Sequence, residues 1–212
     1  MKKRKDKIKF IVDYFEEHQP NVHSELQYTS AYQLLVATML AAQCTDKRVN
    51  MVTPALFDTY PTPAALSQAT EDEILTFIKS VSYPNSKSAH LSAMAKMLMA
   101  EFGGEVPDTM EGLTRLPGVG RKTANVVLAF AFGQTAMPVD THVFRVAHRL
   151  GLVKDAHTPD AVEKQLVAQF PREVLSKAHH WLLLHGRYIC MARKPHCETC
   201  PLTAICDSFV KP

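Results

Sequence analysis

No run in this sequence approaches the ~18 consecutive apolar residues of a membrane-spanning helix, so no transmembrane segment is expected. Sustained apolar–polar alternation is missing as well, which argues against a fold built from half-buried strands. There is no low-complexity stretch, no long linker and no tandem repeat. Charge of one sign is weak: 24 Lys and Arg against 21 Asp and Glu leave a net +3 over 212 residues. With a pI near 8.6, that balance is compatible with a nucleic-acid partner and too small to establish one. The start Met1-Lys2-Lys3-Arg4-Lys5 runs into Asp6 and Lys7 rather than an apolar segment, so no signal peptide is expected. The default address is the cytosol, and the basic first residues read as a solvated terminus.

What is present is helical periodicity. Apolar residues recur at helical spacing over 7–18, 30–43, 46–58, 71–80, 86–102, 121–132, 141–150, 159–170 and 172–187. Breakers separate these runs: Pro61-Thr62-Pro63, Ser82-Tyr83-Pro84, Phe102-Gly103-Gly104, Phe132-Gly133 and Thr158-Pro159. Ser30, Asp108, Asp140 and Thr158 each precede a periodic run and read as helix N-caps. The 46% hydrophobic content supports a real core, and the length suits one large domain or two small ones. The expectation is an all-α assembly of about ten short helices.

Cysteine is scarce but concentrated. Cys190, Cys197, Cys200 and Cys206 are spaced C-x6-C-x2-C-x5-C near the C-terminus. Disulfides are rare in cytosolic chains, so four thiolates enclosing one metal centre are the better reading. Zinc sites usually present two short C-x2–4-C knuckles, and here only Cys197 and Cys200 form one. The asymmetry favours a [4Fe–4S] cluster over zinc. Arg187, Arg193, Lys194 and His196 lie on or between the cysteines. They either balance the thiolates or clamp a phosphate. Cys44 reads as a small buried hydrophobe, not a ligand.

A second motif is Leu116-Pro117-Gly118-Val119-Gly120-Arg121-Lys122-Thr123-Ala124. It lies between a helical pattern ending near Arg115 and one beginning near Arg121. Gly118 and Gly120 can adopt backbone conformations closed to other residues and allow close backbone approach. Val119 would plug the turn into the core. The turn amides and the following helix N-terminus would then face a DNA phosphate. Lys122, in the first helical turn, is open to two readings. It is a phosphate-binding point charge, or a nucleophile whose amine is made available by the helix dipole, partial desolvation and Arg121. Asp140, eighteen residues on, is an N-cap whose second oxygen remains available.

The hairpin motif, then Val139-Asp140-Thr141-His142-Val143-Phe144-Arg145-Val146, then the four-cysteine loop, resemble in this order the endonuclease III family. These are helix–hairpin–helix DNA glycosylases of base excision repair. The resemblance runs from Ala41-Ala42-Gln43 through Cys206. It implies a six-helix barrel over 23–135 and a discontinuous helical domain, 1–22 with 136–212, ending in the [4Fe–4S] loop 190–206. DNA would bind in the groove between them. It implies a bifunctional enzyme that flips and removes oxidised pyrimidines from duplex DNA, then cleaves the abasic strand. Lys122 would be the Schiff-base nucleophile and Asp140 its electrostatic partner. Gln43 would enter the gap left by the flipped base. Tyr83 takes the second wedge position, where Ser82-Tyr83-Pro84-Asn85 departs from the commoner Gly-Leu/Phe-Tyr pattern. Lys87 is a phosphate candidate, and Gly118, Val119, Gly120, Arg121, Thr123, His142, Arg193 and Lys194 complete the DNA contacts. The implied setting is a monomer with a cytoplasmic, nucleoid-associated, bacterial address and no membrane.

Four other readings compete. A monofunctional adenine glycosylase of the same superfamily usually lacks a lysine at position 122, and a mismatch thymine glycosylase fits the atypical wedge. A non-catalytic DNA-binding module would not need the Lys122 and Asp140 pair. A zinc-stabilised structural protein would lack the visible absorbance of an iron–sulfur cluster.

Overall fold

The computed structural model of the chain describes residues 3–22, 24–134 and 136–210. His23 and Thr135, where the expected domain boundaries fall, lie outside the described residues, as do Met1 and Lys2. The described residues hold helices and short 3₁₀ turns and no strand. None of these helices is long and apolar enough to cross a membrane. The chain divides into two compact units, Ser24–Gln134, and Met1–His23 with Thr135–Pro212.

The unit Ser24–Gln134 contains α2 (Ala31–Ala41), α3 (Asp46–Thr59), α4 (Pro63–Ser67), α5 (Glu71–Ile78), α6 (Pro84–Glu101), α7 (Met110–Arg115) and α8 (Arg121–Phe130). Side-chain oxygens start most of them. Ser30 accepts from the Gln33 amide, Thr45 from Arg48 and Thr62 from Ala65. Thr70 and Glu73 exchange hydrogen bonds in a full capping box. Two prolines expected as breakers separate helices and also open the next one: Pro63 and Pro84 each occupy the first turn, where a missing N–H is harmless. Thr109 caps α7, not Asp108, because it is Thr109 whose hydroxyl accepts the Gly112 amide. The core collects Leu35, Leu40, Leu56, Ile74, Ile78, Leu91 and Leu98, all fully buried. Helix α6 packs against α4 and α5, and α2 packs against α8 and α3.

The other unit contains α1 (Arg4–His18), α9 (Thr141–Arg149), α10 (Pro159–Val167) and α11 (Leu175–Tyr188), followed by 3₁₀ turns at Cys197–Thr199 and Thr203–Ile205. Trp181 of α11 is fully buried, stacks on Phe15 of α1 and donates its indole N–H to the Gln19 carbonyl. Such a pairing ties the first helix to a segment more than 150 residues away. A buried cation reinforces it. Lys7 is 1% exposed, and its ammonium meets the Asp207 carboxylate and the Leu150 carbonyl, each at 2.6 Å. Gly151 makes room, since a Cβ there would collide with Asp207.

Lys7 is the buried member of this pair, while Asp207 keeps contact with water, so Lys7→Ala costs the packing of the lysine stem and the bonds of its ammonium. Lys7→Ala should therefore destabilise the chain by about 2–3 kcal/mol in urea unfolding. Lys7→Met, which keeps the volume, should lose less. Equal unfolding midpoints for wild type and Lys7→Ala would contradict the pairing.

Candidate active site

The turn between α7 and α8 is built around one obligatory glycine. Gly118 has φ +78, and a Cβ there would lie 2.8 Å from the His90 Cβ on α6. Conformation and packing both exclude a side chain. Leu116 and Val119 are buried beside it, and the Val119 amide closes the turn on the Leu116 carbonyl at 3.0 Å. Gly120 differs from expectation. Its φ is −90, a conformation open to any residue, and a Cβ there would meet nothing within 4 Å. Its lack of a side chain instead leaves the first turn of α8 with no side-chain cap and open space in front of it.

Arg121 and Lys122 are exposed at that helix start, and Thr123 is half-buried. The partial desolvation expected of Lys122 is thus not present in the free chain, because α8 turns Ala124, Asn125, Val127 and Leu128 into the core and Lys122 outward.

Two further candidates share an unusual backbone. Gln43 has φ +54 and Tyr83 has φ +55, the left-handed region that side chains disfavour. Both are exposed, Tyr83 at 65%. Tyr83 is the N-cap of α6 and directly precedes Pro84. Cys44, next to Gln43, is half-buried against the core of its unit.

Lys87 does not match its expected role. It is 8% exposed, and its ammonium donates to the carbonyls of Leu40 and Ala42, each at 2.7 Å. A phosphate contact would require it to leave two carbonyls at the end of α2. Burial holds its pKa below the usual lysine range, with Cys44 acting in the opposite direction.

Asp140 lies in the other unit, at the start of α9. Its Oδ1 accepts the amides of His142 at 2.9 Å and Val143 at 2.8 Å, which leaves Oδ2 outside the cap. Half-buried His142 faces Arg145 across 3.2 Å from its Nδ1. Arg145 also donates to the carbonyls of Gly186 and Cys190. One turn on, Arg149 donates to the carbonyls of Met191 and Ala192. These two arginines were not singled out in the sequence. Their i, i+4 spacing in a helix begun by Asp140 was the available signal. Gly186 lets α11 approach closely, since a Cβ there would fall 2.9 Å from the His142 Cβ.

The arginines grip the start of the four-cysteine loop. Cys190 follows α11, Cys197 and Cys200 bracket a 3₁₀ turn, and Cys206 follows the next one. All four are unpaired by disulfides and half-buried, and Cys190, Cys200 and Cys206 pack on the core. Burial pushes the Cys200 and Cys206 thiols up, and the neighbouring cysteines add to it. His185 approaches the Cys200 Sγ at 3.6 Å, and burial pulls its pKa down to about 4, so the ring is neutral. Four half-buried cysteines on one short loop are the donor set that a [4Fe–4S] core takes. Arg193 and Lys194 are exposed on that loop.

Residues 36–172 match the family described as HhH-GPD superfamily base excision DNA repair protein, and residues 190–206 match the iron–sulfur binding domain of endonuclease III. Endonuclease III of Rickettsia conorii is 47% identical, with 94% of each chain covered. A structure described as a trapped endonuclease III–DNA covalent intermediate, an estranged-adenine complex, matches with TM-score 0.90 and 40% identity over 98% of this chain and 97% of that one. A thermostable thymine-DNA glycosylase, 24% identical over 97% of this chain and 95% of that one, shares the fold at TM-score 0.84. The hairpin, the helical fold and the cysteine segment thus define a base excision DNA repair protein. Within that class, the chain belongs to the endonuclease III family. It is a DNA glycosylase and AP lyase, it binds DNA, and its cofactor is a [4Fe–4S] cluster.

The two hairpin glycines should separate on substitution. Gly118→Ala meets both positive φ and the His90 contact and should destabilise by about 1–3 kcal/mol in chemical unfolding. Gly120→Ala should stay within about 0.5 kcal/mol of wild type, because its Cβ enters open space.

Proposed function

We propose that Lys122 is the Schiff-base nucleophile and Asp140 the carboxylate that stabilises the developing positive charge on the sugar. The carrying observation is the placement of Lys122: exposed, in the first turn of α8, directly after a glycine that keeps the space in front of that turn open. The relative trapped as a covalent intermediate with DNA supports a nucleophilic route. In the reaction, the Lys122 amine attacks the sugar C1′ and the damaged base departs with the bonding pair. The amine then loses one proton, and its lone pair opens the sugar ring to an iminium as O4′ leaves with the C1′–O4′ pair and takes up a proton. Loss of a C2′ proton lets the C3′–O bond break, releasing the 3′ phosphate. Bound DNA would exclude the water that surrounds Lys122 in the free chain. Asp140 has its Oδ2 available for electrostatic work while Oδ1 holds the helix start.

The substrates are oxidised, ring-saturated or fragmented pyrimidines, which stack poorly and flip at low cost. Gln43 and Tyr83 enter the duplex as the base leaves. Their exposure and left-handed backbone support this, as does the estranged adenine of the related complex. The backbone of the turn at Gly118 and Gly120, with Arg121 and Thr123, holds a phosphate while Val119, whose amide closes the turn, anchors it in the core; His142, Arg193 and Lys194 add contacts. Cys190, Cys197, Cys200 and Cys206 hold the cluster, which, when bound, gives a short polar loop its fixed shape. The working form is a monomer at the bacterial nucleoid.

Lys122→Gln should abolish the borohydride-trapped adduct and strand cleavage while duplex binding persists; full trapping would move the nucleophile elsewhere. Asp140→Asn keeps a capping side chain, so melting should change little while base excision falls about 10²-fold. A large stability loss with normal turnover would leave Asp140 as a cap alone.

The cluster assignment is read by metal analysis. Cys200→Ala should lose the intact cluster and weaken DNA binding, whereas Cys44→Ala should keep both iron content and colour. Retention of full iron by Cys200→Ala, or its loss in Cys44→Ala, would overturn the ligand set.

A further inference from the structure

Lys87 is a buried cation that the chemistry above leaves unused. Its position is nonetheless particular. The ammonium donates to Leu40 and Ala42, the latter being the residue directly before Gln43. Its own backbone amide donates to the carbonyl of Tyr83 at 3.1 Å. One residue therefore bonds to the segment that ends in Gln43 and to the one that carries Tyr83, both of them left-handed and exposed. Such conformations persist only where the surroundings over-determine them. The carbonyls at the end of α2 carry the negative end of its dipole, and a lysine ammonium supplies both the charge and the several donors they need.

We propose that Lys87 is a positioning residue for base flipping, a strut that fixes the spacing of Gln43 and Tyr83 so that both side chains enter the duplex together. This rests on the reading of those two residues as the inserting pair. A rigid pair needs no ordering when DNA binds, whereas a loosened one reaches the productive geometry only part of the time. Strand cleavage at an abasic site in single-stranded DNA needs Lys122 but no opposite base to displace, so it does not need the strut.

The test uses the cluster-loaded full chain and Lys87→Met. The first arm is excision of thymine glycol from duplex DNA in single turnover. In the second, abasic single-stranded DNA is cleaved. The third reads the fluorescence of 2-aminopurine placed opposite the lesion, which rises on unstacking. Excision should fall about tenfold or more, as expected when a reacting geometry is misplaced. The single-stranded reaction should stay within about twofold, and the fluorescence rise should shrink at saturating protein. Equal losses in the first two arms would mean a general structural role and would overturn the proposal. So would unchanged excision. If the Met variant does not fold, Lys87→Arg, which keeps charge and donors but not the geometry, is read by the same ratio. Should wild type give no fluorescence rise, the reading of Gln43 and Tyr83 as inserting residues fails. A normal rise in both chains would sink the role of Lys87 alone.

Discussion

The placement of the chemistry depends on one steric constraint, the contact between Gly118 and His90. The chain must reverse between α7 and α8 while α6 passes within a carbon's reach of the turn. Only a residue without a Cβ, and at positive φ, satisfies both demands. Once Gly118 takes that conformation, Leu116 and Val119 drop into the core and the Val119 amide is consumed by the turn. The start of α8 is then fixed to the residue. Lys122 faces solvent because Ala124, Val127 and Leu128 must face the core. Helical periodicity on one side of the turn and sterics on the other therefore decide where the amine points.

Local strain elsewhere is held by polar satisfaction rather than by packing. Gln43 and Tyr83 are poorly suited to their backbone, and neither is buried deeply enough to be forced there by apolar contacts. The adjoining carbonyls are what the structure secures, through the ammonium and amide of Lys87. A similar economy appears in the other unit. Arg145 and Arg149 hold backbone carbonyls of the cysteine loop, which has only six residues between Cys190 and Cys197 and no core of its own. In both places a cation replaces the hydrophobic contacts that a short loop cannot make.

The sequence disclosed the elements with strong local signals and missed those defined by a distant partner. Periodicity located most helices, and Ser30, Asp140 and Thr158 were legible as caps because their oxygens bond within three residues. Pro63 and Pro84 do separate helices, but the sequence did not show that each also opens the next one, since proline is equally at home just outside a helix and in its first turn. Asp108 and Thr109 are both competent caps, and only the register set by buried Leu113 chooses Thr109. Gly118 and Gly120 look alike in the motif, yet one is required by the fold and the other is not. Lys87 and Arg145 could not be placed, because their partners are backbone carbonyls, which carry no sequence signature.

The chain's modest positive charge is divided between buried and exposed cations. A net +3 suggests a thin excess spread over the surface. The structure sorts the cations instead. Lys7 is paired in a core, Lys87 holds a helix end, and Arg145 and Arg149 hold a loop. None of the four is placed to add to a phosphate-binding surface without giving up an internal bond. Arg121, Lys122, Arg193 and Lys194 are exposed, two at the α8 start and two on the cysteine loop. Phosphate attraction depends on charges that water and counterions can reach. The exposed cations, not the total, therefore set the electrostatic footprint, and those on the two segments that the motifs had marked are among them.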